Sequence, residues 1–248
     1  MKQGVVITVF VLMFAVVCTP LAAQDSGVNY PTYMVETFDS PDSSEITWNG
    51  IGSKFVADGY PILQYFDGMP NALRVMQSDS EQEHKFLGVQ FKFSRQGDNW
   101  VDIYPTKASG EGDNAAVPYE IPFKGLVQRL DMWVWGAGYA YDLEVLVRDC
   151  NGRIHALPVA TLNYHGWRNL AVAIPSNIQQ RSRYLSHVKQ LHFVAFRIRT
   201  QPTENVDDFY VFFDEFKALT NTRMPSYDGF ELEKAQFGAA DSNKESGK

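Results

Sequence analysis

The residues that could do chemistry in this sequence lack the spacings that most chemistry needs. Acyl transfer by a serine requires a nucleophile held on a sharp turn, and no Gly-x-Ser-x-Gly segment occurs. The histidines, His84, His155, His165, His187 and His192, never adopt the His-Glu-x-x-His or His-x-His spacing that brings two ring nitrogens to one zinc ion. Gly110-Glu111-Gly112-Asp113 puts acid where a phosphate cradle needs bare amides, so it reads as a loop tip. Carboxylates are plentiful, with pairs at Asp207-Asp208 and Asp214-Glu215. A glycosidase would need two of them at a defined separation in space, which spacing along the chain does not supply. The expectation is a protein that is not an enzyme.

The elements that would position side chains are short strands. Phe86 to Phe93 alternates, with Phe91 and Phe93 on one face and Gln90 and Lys92 on the other. Asp131 to Trp135, Asp142 to Arg148, Arg153 to Leu162, Trp167 to Ile174, Gln190 to Arg199 and Asp208 to Phe216 continue the series. Asn151-Gly152 between two of these runs predicts a hairpin with a type I′ turn, which needs positive φ at both central residues. A helix is expected only near Asn177 to His187. Short aromatic and β-branched strands broken by Gly and Pro predict an all-β sandwich with few short helices, of the galactose-binding jelly-roll kind.

Aromatic residues make up 14% of the chain, and Trp133, Trp135, Tyr139, Tyr141, Tyr164 and Trp167 lie close together in it. On a strand, Trp133 and Trp135 share one face and Met132 and Val134 the other. Exposed aromatic area serves for docking, so Trp133, Trp135, Tyr139 and Tyr141 are the candidate protein-interaction residues.

The ends read differently from the middle. Met1-Lys2-Gln3 precedes an apolar run from Gly4 to Cys18 and a small-residue stretch, Leu21-Ala22-Ala23. That run is about 15 residues, short of the roughly 20 a bilayer span needs, so residues 1–23 are expected to be a cleaved signal peptide that leaves no membrane span. Residues 24–227 would form one sandwich domain, and 228–248 a small-residue, polar, mobile tail. Cleavage removes Cys18 and leaves Cys150 as a lone, buried thiol. With 22 Lys and Arg against 29 Asp and Glu, the formal charge is −7, which argues against nucleic acid as a partner.

Four segments carry a more specific resemblance: Tyr33 to Asp39, Trp133-Val134-Trp135-Gly136 with Tyr139 to Arg148, Leu162 to Leu170, and Asp207 to Asp214. They resemble the spirochaete flagellar filament outer layer (sheath) protein family. The resemblance implies an exported structural subunit of the periplasmic flagellum, coating a core of flagellin alongside copies of itself and other sheath proteins, with no catalytic residues and no cofactor. Similarity to carbohydrate-binding jelly rolls implies an alternative, a periplasmic carbohydrate-binding module. It also implies a structural calcium between the first strand and the last, with Glu36, Asp39 and Asp214 as ligands.

Overall fold

Alternation of apolar and polar side chains, period two, is what turns this sequence into strands that bury one face each. The computed structural model describes residues 31–76, 83–108, 116–182 and 190–221. Along the chain these form β1 (Thr32–Glu36), β2 (Ile46–Gly52), β3 (Ile62–Asp67), α1 (Asn71–Met76), β4 (Lys85–Phe91), β5 (Trp100–Ala108), β6 (Ala116–Pro118), β7 (Ile121–Pro122), β8 (Leu126–Ala137), β9 (Asp142–Arg148), β10 (Ile154–Thr161), β11 (His165–Ala173), β12 (His192–Arg199) and β13 (Phe209–Asn221). One sheet runs β11-β8-β13-β4-β3, with β1 added beside β13. The other runs β10-β9-β12-β5-β2, with β6 on β5 and β7 on β12. Every pairing is antiparallel, and the chain crosses repeatedly from one sheet to the other, as a jelly-roll sandwich requires.

The two inner faces meet in an aromatic core. Phe196 of β12 stacks on Phe213 of β13 across the sandwich, with centroids 4.8 Å apart and planes 10° from parallel. Trp48 of β2 also stacks on Phe196, at 5.7 Å. Phe38, Phe91, Phe123, Phe193, Phe209 and Phe216 fill the remaining space and are all buried.

Two local details differ from the sequence-based expectation. The β9–β10 hairpin closes with Asp149 and Arg153 as its last bonded pair, so its loop has three residues. Gly152 alone there takes a left-handed φ of 85°, which is a glycine-terminated three-residue loop instead of a type I′ turn. Asp149 holds the loop: its Oδ1 accepts the N–H groups of Asn151 (2.8 Å) and Arg153 (2.9 Å), and its Oδ2 lies 2.9 Å from His155 Nε2. These bonds hold the Asp149 carboxyl below its ordinary value, against the opposing effect of burial. The second difference is the helix. Residues 177–182 form turns and a bridge from Arg181 to Gln190, the rest of the expected helix lies outside the described residues, and the helix that is present, α1, follows β3. The segments expected to be a signal peptide (1–23) and a polar tail (228–248) also lie outside the described residues.

Candidate functional site

The outward faces of the two sheets are built from opposite chemistry. On the β12 side, charges are matched strand to strand. Arg197 forks onto Asp102 with bonds of 2.6 and 2.7 Å while its guanidinium lies 4.8 Å from the centre of the Trp100 ring. Arg199 holds Asp98 at 2.9 Å and approaches Glu144 at 3.8 Å, and Arg148 makes three bonds to Glu120. Such a face satisfies its own charges by paired, charge-assisted hydrogen bonds.

On the β13 side the outward residues are rings. Register places Gln64, Gly88, Phe212, Trp135 and Trp167 in one row across β3, β4, β13, β8 and β11. Tyr210 stacks on Trp135 at 5.4 Å and 18°, Phe212 meets Trp135 edge-on at 5.4 Å, and Phe86 meets Trp167 edge-on at 5.3 Å. Phe66 completes the patch against Phe86 and Phe212. Gly88 makes room for this packing: a Cβ there would lie 2.5 Å from Phe66 and 2.9 Å from Phe212. Tyr210 and Phe66 remain 43% and 39% exposed, as is Ile62 at 44%, so the aromatic face is wet at its surface while its strands are buried beneath. A groove of about 200 Å³ runs between Ile62, Phe66, Tyr210 and Phe212, with the amides of Gln64 and Gln90 on its floor and flank. Apolar area of this extent on one face favours association, since its burial is worth about 25 cal/mol per Å².

The four expected interaction residues divide. Trp133 and Trp135 are half-buried on this outward face, with Met132 and Val134 buried beneath. Tyr141 is not a surface residue: it is 0% exposed, packs at a tilt of 41° against Phe209 at 4.6 Å and donates its hydroxyl to the Asn205 carbonyl at 2.6 Å. Burial raises its pKa first of all, and the neighbouring Tyr139, Glu204 and Asp207 raise it further. Its place in a loop hid this, because alternation assigns faces only within strands. Tyr139 is half-buried beside it, accepts a bond from Asn205 Nδ2 at 3.2 Å, and ties the 138–141 loop to the loop before β13. Phe66, Phe86, Trp167, Tyr210 and Phe212 were not singled out as partners of Trp135. The available signal was that Tyr210 and Phe212 alternate with Phe209, Val211 and Phe213, which makes both faces of β13 apolar.

The structure gives Glu36 and Asp39 hydrogen-bond partners of their own and buries Asp214. Glu36 Oε1 accepts the N–H groups of Thr37 and Phe38, both at 3.0 Å, and Oε2 lies 3.4 Å from the Trp48 indole nitrogen. Asp39 Oδ1 accepts the Lys85 N–H at 3.1 Å and lies 3.2 Å from His84 Nδ1. Asp214 is 3% exposed, and burial, then Glu215 and Asp39, push its carboxyl up to about 8, so at neutral pH it is mostly uncharged. Among the described residues no group of three or more His, Cys, Asp or Glu side chains is arranged to hold a metal ion. Calcium takes six to eight oxygens at about 2.3–2.6 Å, whereas Glu36 and Asp39 here spend theirs on backbone amides, Trp48 and His84. Chelation is accordingly expected to leave the thermal midpoint within about 1 °C in a scan with and without EDTA; a large fall would reinstate the ion.

Comparison with known proteins adds three findings. Residues 27–226 match the model of a family described as flagellar filament outer layer protein. A flagellar filament outer layer-like protein of Brachyspira hyodysenteriae is 27% identical over 154 residues, 62% of this chain and 65% of that one. The flagellar filament outer layer protein of Borreliella burgdorferi is 27% identical over 137 residues, 45% of this chain and 40% of that one, so the chain spans under two thirds of the length of each relative. Among solved structures, a family 61 carbohydrate-binding module in complex with β-1,4-galactotriose aligns over 74% of this chain and 94% of its own, at 12% identity and TM-score 0.39. The family 11 carbohydrate-binding module of a Clostridium thermocellum cellulase aligns over 80% and 99%, at 8% identity and TM-score 0.41.

Proposed function

This chain belongs to the flagellar filament outer layer protein family, and from that membership we propose that it is a structural subunit of the outer layer of periplasmic flagellar filaments. In this reading it coats a flagellin core together with its own copies and other sheath proteins, and so supports motility without doing chemistry. The observation that carries the physical side of the reading is the aromatic face centred on Trp135, Tyr210 and Phe212. A coat repeats each contact many times, so a modest apolar patch per subunit suffices through avidity.

The test is to strip the outer membrane with mild detergent, shear off and purify the filaments, and measure this protein against flagellin. Comparable amounts, with thinner filaments after deletion of the gene, are the expected result; absence from the filaments would overturn it. Tyr210→Ala is expected to reduce the filament-bound fraction several-fold while shifting the thermal midpoint by only a few degrees, because nearly half of that side chain is already in water. A large drop in midpoint with no change in binding would mean that the ring serves the fold alone.

The groove beside Gln64 and Gln90 supports a second reading, a carbohydrate-binding module. Ring faces and amides together suit the C–H faces and hydroxyls of a sugar. It predicts saturable binding of a soluble oligosaccharide by the isolated protein, measured by calorimetry, and is dropped if the protein binds filaments but no glycan.

A further inference from the structure

The strand at one end of the aromatic row, β11, is an open edge. It pairs with β8 over nine residues, His165 to Ala173, without a register shift, and none of its residues is buried. It has no second partner strand among the described residues. Exposed edges in stable proteins are usually blunted by proline, a bulge, lysine or inward charge. The corresponding edge of the other sheet, β10, shows two of these devices: Pro158 and a register shift between Pro158 and Ala160. β11 contains no proline, lysine, aspartate or glutamate, and it is the longest of the four strands at the sheet ends.

The unused hydrogen-bonding groups can be placed residue by residue. Ile174 donates its N–H to Gln128 O at 2.9 Å, continuing the register in which His165 faces Ala137. In an antiparallel ladder, N–H and C=O of one residue point the same way and alternate along the strand. Even-numbered residues of β11 therefore bond to β8, and Trp167, Asn169 and Ala171 turn their backbone groups outward.

We propose that β11 pairs antiparallel with β11 of a second copy of this chain about a two-fold axis through Asn169, joining the two aromatic sheets edge to edge. This rests on the outer-layer reading for its biological setting, but its geometry is independent of it. With Asn169 opposite its own copy, all outward-pointing groups meet in bonded pairs. The bulky Trp167 then faces the small Ala171 of the other chain on the aromatic side, and Arg168 faces Leu170 on the other side. A register shifted by one would set Arg168 against Arg168, a like-charge pair that sheets disfavour. The two-fold arrangement also sets both outward aromatic faces on the same side of one continuous sheet, the Phe212-Trp135-Trp167 row of each chain ending against Ala171 of the other.

The mature chain is expected to sediment as a dimer that dissociates on dilution. Ala171→Pro deletes one outward N–H and leaves every bond to β8 in place, so self-association should weaken at least tenfold with little change in thermal midpoint. Asn169→Cys should form an intermolecular disulfide under mild oxidation, because bonded antiparallel pairs hold their Cα atoms about 5.5 Å apart. A monomer at all concentrations without that cross-link, in solution and in isolated filaments, overturns the proposal, as does an Ala171→Pro chain that stays dimeric. If Ala171→Pro fails to fold, the Asn169→Cys cross-link decides alone. A dimer that is missing from filaments would defeat the outer-layer reading and leave the edge pairing standing. An Asn169→Cys chain that binds filaments but never cross-links would do the reverse.

Discussion

Phe196→Ala is expected to cost about 3–5 kcal/mol of folding stability, the range for deleting a fully buried aromatic ring. Phe196 is 0% exposed and packs nearly parallel to both Trp48 at 5.7 Å and Phe213 at 4.8 Å, with Phe193 and Phe216 at 4.7 and 5.1 Å. With Phe193, it is one of the rings through which β2 and β12 of one sheet meet β13 of the other. Removing it leaves a cavity that a rigid sandwich cannot close, because both sheets are held by ladders on either side. For a domain of this size the loss corresponds to a fall of about 10 °C in thermal midpoint. Phe196→Leu, which keeps most of the volume, should lose less than half as much. The measurement is calorimetry or circular dichroism on the purified chain, and a midpoint within about 2 °C of the wild type would show that the core repacks.

The contrast between Phe196 and Tyr210 marks how far sequence periodicity carries. Alternation places β9 at its observed bounds and β10, β11 and β12 to within two residues, and it finds the centres of β8 and β13 while stopping five residues short at one end of each. It did not single out β2 or β3. β2 carries Asn and Gly residues between its apolar ones, and β3 places Ile62 and Phe66 outward, where they join the aromatic face. The site itself was legible only in part. Trp135 was visible from its own strand, but its neighbours Tyr210, Phe212 and Trp167 come from strands distant in sequence and are brought beside it by register alone. Register depends on every ladder in the sheet, which no single segment encodes.

Irregular backbone hid the rest. β13 shifts register between Asp214 and Lys217, and Glu215 within that shift has a left-handed φ of 46°, a conformation that non-glycine residues rarely adopt. A bulge of this kind breaks alternation at the point where the sequence reads Asp-Glu. Both carboxyls are consequently buried, Asp214 beside Glu215, while Glu215 itself pairs with Lys217. An acidic pair near the end of a strand, whose charge alone would suggest solvent, is in fact buried.

That burial makes Asp214→Asn the most informative single substitution. The folded chain holds the Asp214 proton up to a pKa of about 8, whereas an unfolded aspartate releases it near 4. Between those two values the native state binds the proton and the unfolded state does not, so stability falls as pH rises from about 4 to about 8 and levels off above. Asparagine has nearly the same shape and keeps a carbonyl to accept the Glu215 N–H, but it never ionises. The variant should match the wild type at pH 4, melt several degrees higher at pH 8, and lose most of the downward slope between. The accumulated difference is on the order of several kcal/mol, at about 1.4 kcal/mol for each pH unit between the two titrations, before local relaxation reduces it. Thermal scans at pH 4, 6 and 8 with EDTA present measure it directly. A variant that instead melts lower than wild type at pH 8, and only when calcium is supplied, would identify Asp214 as a charged ligand and reverse the account of this end of β13.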